Sequence, residues 1–207
     1  SYCSQYIGEK LRSKGDSIQE DDLKKMLSIR PRVESIAVKD AKLRTFITAD
    51  NQRDNLVAHV YDVTYGVVIR EKDTLVVLDD SIVRGTTLKE SIIRILDRLE
   101  PKRIIIVSSA PQIRYPDCYG IDMARLGDFI AFRAAIELLK DTRQEEVINS
   151  VYAKCKAQQN LPKEEIINYV KLIYKPFTAD QISKKIAELV TARGIKSEVT
   201  VIYQTIE

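Results

Sequence analysis

Asp79 and Asp80 are adjacent carboxylates at the end of an apolar run, TLVVLDD. The next residues, SIVRGTT, bring the hydroxyl of Ser81, the guanidinium of Arg84, the glycine Gly85 and the hydroxyls of Thr86 and Thr87. A helical pattern follows from Leu88. Ligands of an open parallel sheet bind beyond the carboxyl ends of its strands. A helix that starts there offers unpaired N–H groups and roughly half a positive charge. Gly85 permits close backbone approach or a positive φ. The loop therefore suits a phosphate. The two acids cannot bind that phosphate, but they can accept from a diol or hold a hard cation such as Mg2+. Together these groups fit a phosphorylated sugar. The acids alone would read more readily as a solvated turn before a helix cap; the whole run is more specific. It is not the nucleotide-binding pattern GxxxxGK[ST], which occurs nowhere in the chain.

The elements around this run predict an α/β fold. TLVVLDD and RIIIVSSA are near-continuous apolar runs, expected as strands covered on both faces. Between them Leu88, Ile92, Ile95, Leu96 and Leu99 share one helical face, and Pro101 marks the exit. Strand, helix and strand in this order predict a right-handed βαβ unit and a doubly wound parallel sheet. ARLGDFIAFRAAIELLK is apolar almost all round and predicts a buried helix. Upstream, residues 2–14 and EDDLKKMLSI predict helices, RVESIAV a strand, residues 39–55 a loop, and LVAHVYDVTYGVVI one or two strands. From residue 142 the character changes. Three amphipathic stripes are expected as helices: Val147 to Cys155, Ile166 to Tyr174, and Ile182 to Val190 with Gly194 as C-cap. The chain closes on the strand-like SEVTVIYQTIE. Two regions are expected, 1–141 around the sheet and 142–207 as a helical extension ending in a strand-like segment.

Lys and Arg number 33 against 30 Asp and Glu in 207 residues. That balance draws the chain neither to nucleic acid nor to a membrane surface, and no apolar stretch is long enough to span a bilayer. Cys3, Cys118 and Cys155 are scattered, without a CxxC pair, which suits a reduced, cytoplasmic setting. An iron–sulfur cluster needs four thiolates. His59, the single histidine, stands in a strand-like run without a carboxylate constellation and reads as structural. The chain opens at Ser1 and ends inside an apolar run, so it reads as a piece of a longer protein.

VVLDDSIVRGTT closely resembles the phosphoribosyl pyrophosphate (PRPP) signature of type I phosphoribosyltransferases, in the wording of the amidophosphoribosyltransferases. SSAPQIRYPDCYGIDM, residues 108–123, is similar to that family's segment after the next core strand. LRTFI, residues 43–47, resembles part of its closing loop. The resemblance runs over about residues 33–140 and implies a type I phosphoribosyltransferase-like fold. It implies that Asp79 and Asp80 hold the ribose hydroxyls and help position Mg2+. Ser81, Arg84, Gly85, Thr86 and Thr87 would surround the 5′-phosphate. Arg44 and Lys42 would belong to the closing loop, and residues 119–122 (Tyr119 to Asp122) would shape the base of the pocket. The implied reaction is displacement of pyrophosphate from PRPP by glutamine-derived ammonia, giving 5-phosphoribosylamine for purine synthesis.

The resemblance also implies a homo-oligomer and a glutaminase domain with a terminal cysteine nucleophile. Cys3 does not match that domain. The family's first strand and pyrophosphate loop are expected to be missing, so this chain alone is expected to be inactive. Two other readings share the PRPP signature. A nucleobase salvage phosphoribosyltransferase would not explain YGIDM, and a non-catalytic PRPP-sensing regulator would be expected to add a basic DNA-binding element.

Overall fold

Alternating burial along two apolar runs defines the centre of the molecule. The computed structural model describes residues 21, 24, 28, 32–34, 37–39, 61–64, 66–117 and 123–205. Strands β1 (Ala37–Lys39) and β2 (Tyr61–Val63) pair antiparallel. Strands β3 (Thr74–Asp79), β4 (Arg103–Ser108) and β5 (Glu198–Tyr203) form a parallel sheet in the order β3-β4-β5. The protein is therefore an α/β fold with a parallel sheet and helical connections. By contacts the chain divides into Ser1–Ser35 and Ile36–Glu207. In the first unit Asp21, Lys24 and Ser28 are helical, as EDDLKKMLSI predicts. The helix expected over residues 2–14 and the loop expected over 39–55 lie outside the described residues.

Register explains which half of each strand is buried. Leu75, Ile104 and Val199 stand in one row across the sheet, and Val77, Ile106 and Val201 in the next. These rows join the core, where Ile104 and Ile106 are fully buried. The alternate positions do not: Val76 is 61% exposed and Leu78 78%. The expectation that TLVVLDD is covered on both faces thus fails for the described residues. The core cluster that buries Leu75 is built from the β3–β4 connection and the later helices, and they take one face.

The β3–β4 connection is helical from residue 86, and its segment Leu88–Ile92 is π-helical before it becomes α1 (Ile93–Asp97). The wider i→i+5 turn alters the expected face. Leu88, Ile93, Ile95, Leu96 and Leu99 are buried, while Ile92 is left at the edge of the core. Helix α2 (Ile130–Asp141) begins after a short 3-10 turn at Leu126–Asp128, and Ala134, Ala135 and Leu139 on it are fully buried.

The segment after residue 142 is part of the same body. Helix α3 (Glu146–Ala157) buries Val151 but leaves Tyr152 68% exposed. The expected helix through Ile166 and Tyr174 is broken. A 3-10 turn at Lys163–Glu165 is followed by the single turn α4 (Lys171–Tyr174), and Ile166 and Ile167 are exposed. The Gln158 side chain supplies the reason. Its Nε2 donates to the Ile167 carbonyl at 2.6 Å and its Oε1 accepts from the Ile167 N–H at 3.0 Å, replacing helical bonds with an extended pairing. Helix α5 (Ala179–Val190) carries a capping box between Thr178 and Gln181 and buries Ile182, Ile186 and Val190. It is capped at Thr191, so Gly194, at φ +90°, shapes the following turn and is not the C-cap.

β5 then pairs parallel with β4, so the C-terminal run is the third strand of the sheet. Residues on both sides of position 142 belong to the unit Ile36–Glu207. The approach to β5 is pinned from α1. Asp97 accepts from the N–H groups of Lys196 and Ser197, at 3.1 and 2.9 Å, and from the Ser197 hydroxyl at 2.6 Å. Bonds to a charged acceptor contribute about 1.5–3 kcal/mol. Asp97→Ala should therefore lower the free energy of unfolding by about 2 kcal/mol, measured by urea denaturation, with the helical circular dichroism of the folded protein retained.

Candidate functional site

The parallel pairing of β3 with β4 brings two loops together at one end of the sheet. Asp79 and Ser108 are opposite each other in register, and the Ser109 N–H donates to the Asp79 carbonyl at 2.9 Å. The Ser109 hydroxyl donates to the Asp80 carbonyl at 3.1 Å. The acids are thus held at a carboxyl end, the position from which a parallel sheet presents ligands.

A cavity of about 470 Å3 opens there. Asp79, Ser81 and residues 84–87 line it, with Ile92 and Met123 among its apolar walls. All the residues expected around the phosphate therefore share one cavity, together with one of the two acids. Asp80 is exposed at its rim and is not among the lining residues. Arg44, Lys42, His59, Cys118 and residues 119–122 lie outside the described residues, so the closing loop and the base of the pocket have no structural account here.

The local chain chemistry is specific. Asp79 Oδ1 accepts from the Asp80 N–H at 3.0 Å, and Asp80 Oδ1 accepts from the Ser81 N–H at 2.7 Å. Each acid is oriented through one oxygen by the following backbone N–H, and the two side chains also share a hydrogen bond. Burial, then a hydrogen bond to the Asp80 side chain, raises the Asp79 carboxyl above the ordinary carboxylate range; the Asp80 N–H acts in the opposite direction. Arg84 reaches toward Asp128 of the 3-10 turn, with 3.9 Å between Nη2 and Oδ2. Gly85 has φ +71°, which L side chains rarely adopt. A Cβ there would stand 2.7 Å from Ile130 Cδ1 and 3.1 Å from Val190 Cγ1. The glycine thus lets the loop lie close to α2 and α5, with the missing side chain on the core side. The Ile130 N–H also donates to the Val83 carbonyl at 2.8 Å, tying the start of α2 to the loop.

The first-turn N–H groups of a helix have no partner four residues back. Here that turn starts at Thr86, beside the hydroxyls of Thr86 and Thr87. Thr87 itself makes no side-chain cap bond. The cavity therefore combines anion-binding donors on one side with carboxylate oxygens on the other. The described residues contain no group of three or more His, Cys, Asp or Glu side chains fit to hold a metal. Two carboxylates suit a Mg2+ ion that arrives with most of its oxygens supplied by water and a phosphorylated ligand.

Comparison with known proteins gives a consistent relationship. The chain is 48% identical over 63 residues to an amidophosphoribosyltransferase of Pasteurella multocida, covering 30% of this chain and 12% of that protein. It is 42% identical over 71 residues to an Escherichia coli amidophosphoribosyltransferase, covering 34% of this chain and 14% of that one. The Schizosaccharomyces pombe amidophosphoribosyltransferase is 45% identical over 62 residues, or 30% of this chain and 11% of its own. Over that stretch the chain is similar to amidophosphoribosyltransferases. It spans about one-eighth of the length of these relatives. No protein-family model matches the chain.

Sequence reasoning missed Ser109, Ile92 and Met123. Ser109 was legible in principle, because parallel register places the residue after β4 beside the residue after β3. Ile92 lines the cavity together with Leu88, the residue four positions earlier on the same expected face.

Two outcomes follow from this geometry. Gly85→Val forces a β-branched residue to positive φ and drives its Cβ into Ile130, so unfolding free energy should fall by about 2–4 kcal/mol. Gly85→Ala, which keeps both problems without the branch, should lose less. For Asp79 the raised pKa means that folding favours the neutral carboxyl. Its contribution is fully present below the ordinary carboxylate pKa and is lost as pH rises through the raised one. Asp79→Asn should therefore match or exceed the wild-type melting temperature at pH 7, and the difference should shrink on acidification.

Proposed function

We propose that this chain is the phosphoribosyltransferase portion of an enzyme of purine nucleotide biosynthesis, one that transfers ammonia from glutamine to PRPP. The single observation that carries the reading is the cavity at the carboxyl end of β3, which gathers Asp79, Ser81 and residues 84–87. The named relatives support the same reading. The products are 5-phosphoribosylamine and pyrophosphate. A salvage enzyme or a regulator would use a similar loop, but the related proteins carry the name amidophosphoribosyltransferase.

In this reading the 5′-phosphate sits against the first turn after Gly85, taking N–H donors and the hydroxyls of Ser81, Thr86 and Thr87. Charge-assisted bonds of this kind are about twice as strong as neutral ones, which offsets repulsion from the acids nearby. Asp79 and Asp80 accept from the ribose hydroxyls, which take the place of the bond between the two side chains. Mg2+, when bound, neutralises charge on the pyrophosphate as it leaves. The nitrogen lone pair of ammonia forms the new bond to C1 of the ribose as the C1–O bond to pyrophosphate breaks. The protein's work is to position the sugar and to stabilise charge. Arg44 and Lys42 would close over the ligand, and residues 119–122 would form its floor.

The proposed setting is cytoplasmic; among the described residues no helix is long and apolar enough to cross a membrane. A glutaminase domain of the parent protein would supply the ammonia, and a homo-oligomer is the proposed assembly. The sheet region assigned to the phosphoribosyltransferase, 1–141, would take β5 as an additional strand.

Asp80→Asn tests the reading directly. Asp80 is exposed, and an asparagine can still accept from the Ser81 N–H, so the melting temperature should barely move. Losing the charged partner of the ribose hydroxyls and Mg2+ should weaken PRPP binding about tenfold to a hundredfold, equivalent to about 1.5–3 kcal/mol. Calorimetric titration of the intact parent enzyme with PRPP and Mg2+ gives the comparison. Equal affinity in variant and wild type would refute the assigned role.

A further inference from the structure

A second cavity, of about 520 Å3, opens at the carboxyl ends of β4 and β5 and shares no lining residue with the one beside β3. Its walls come from the loop after β4, the end of β5 and the first turns of α5. Pro111, Val201 and Ile202 supply apolar surface, Tyr115 a ring, and Arg114 and Asp180 opposite charges. The proposed function uses none of these groups.

Arg114 is the residue that points to a ligand. Its Nε and Nη2 both donate to Gln112 Oε1, at 3.1 and 2.7 Å. The Gln112 amide is itself fixed, because its Nε2 donates to the Ala179 carbonyl at 2.8 Å and to the Ser183 hydroxyl at 2.9 Å. The guanidinium also lies over the Tyr174 ring, 5.1 Å from its centroid, close enough for a cation–π attraction. The Tyr174 hydroxyl donates to the Arg114 carbonyl at 2.7 Å. Side chain and backbone are therefore both held in place by neutral groups.

What holds this cation does not neutralise it. Partly buried charges are ordinarily paired. Arg114 is half-buried, yet among the described residues it has no carboxylate partner, and its Nη1 keeps its N–H donors. Asp180 lines the same cavity without forming an ion pair with it. A planar carboxylate matches the remaining edge of a guanidinium with two parallel bonds. The charge of Asp180 opposes a dianion such as a phosphate ester more strongly than a monoanion. The start of α5 does not supply the site, because Thr178 and Gln181 close it with their capping box.

We propose that this cavity binds a small carboxylate carried on an apolar or aromatic body, with the carboxylate on Arg114 and the body against Pro111, Ile202 and the Tyr115 ring. Gln112 is the positioning residue for Arg114. The inference stands apart from the proposed function and does not rest on it.

Benzoate, benzamide and phenyl phosphate are the probes, each titrated into the isotopically labelled protein. Binding is followed through the backbone amides and the arginine Nε–H resonances. Benzoate should give saturable shifts at the Arg114 Nε–H and at the amides of Arg114, Tyr115, Gln204 and Thr205, while residues 84–87 stay still. Benzamide keeps the ring and loses the charge, so it should bind at least about tenfold more weakly. Phenyl phosphate should bind no more tightly than benzoate. Arg114→Gln should abolish the benzoate shifts at Tyr115, Gln204 and Thr205, and Gln112→Ala should weaken them. Equal binding of benzoate and benzamide by the wild type would overturn the role of Arg114, whatever the stability of the variants. Benzoate shifts confined to other residues, or none that saturate, would overturn the site. Tighter binding of phenyl phosphate at the same residues would overturn the choice of carboxylate.

Discussion

The parallel pairing of β3 with β4 is the constraint on which the rest depends. Its hydrogen bonds fix where both strands end, and the Ser109 N–H on the Asp79 carbonyl continues the ladder one step past them. Two acids that would otherwise belong to a solvated turn are held instead at a sheet terminus. The helical turn from Thr86 is then forced to begin beside them. Had the register slipped by one residue, Asp79 would have exchanged faces with Leu78. The apolar side chain would then have stood where the carboxylate now meets the cavity.

Gly85 connects this terminus to the core. Its positive φ turns the chain from the acids into the helix, and its missing Cβ lets Ile130 and Val190 pack against the loop. The start of α2 and the end of α5 therefore set the shape of the candidate site from behind. The loop after β4 is braced in a similar way. Gln112 Nε2 donates to the Ala179 carbonyl at 2.8 Å, and Tyr174 donates to the Arg114 carbonyl at 2.7 Å. The segment after residue 142 is thus a structural support for the loops at the carboxyl end.

Much of this was legible in the residues. Apolar runs ending at Asp79 and Ser108 gave the two strands, and the glycine between a guanidinium and two threonines gave the turn. The helix expected from Ile166 to Tyr174 was misjudged because its apolar spacing is helical, while the decisive contact comes from Gln158, outside that window. The supposed burial of TLVVLDD on both faces failed for a related reason, since a local run cannot state how many helices cover a sheet. The place of β5 was also hidden. A strand-like run at the end of the chain carries no signal for pairing with a strand about 95 residues earlier, as Arg103 and Glu198 do.

The central claim is that the turn after β3 is a phosphate cradle flanked by acceptors for a sugar. Titration of the isotopically labelled protein with ribose 5-phosphate, followed through the backbone amide resonances, tests it most directly. The account predicts saturable shifts concentrated at Gly85, Thr86 and Thr87, with smaller ones at Asp79 and Asp80. Inorganic phosphate should move the first group and leave the acids nearly still. Shifts confined to other parts of the chain, or none at all at residues 84–87, would contradict the account.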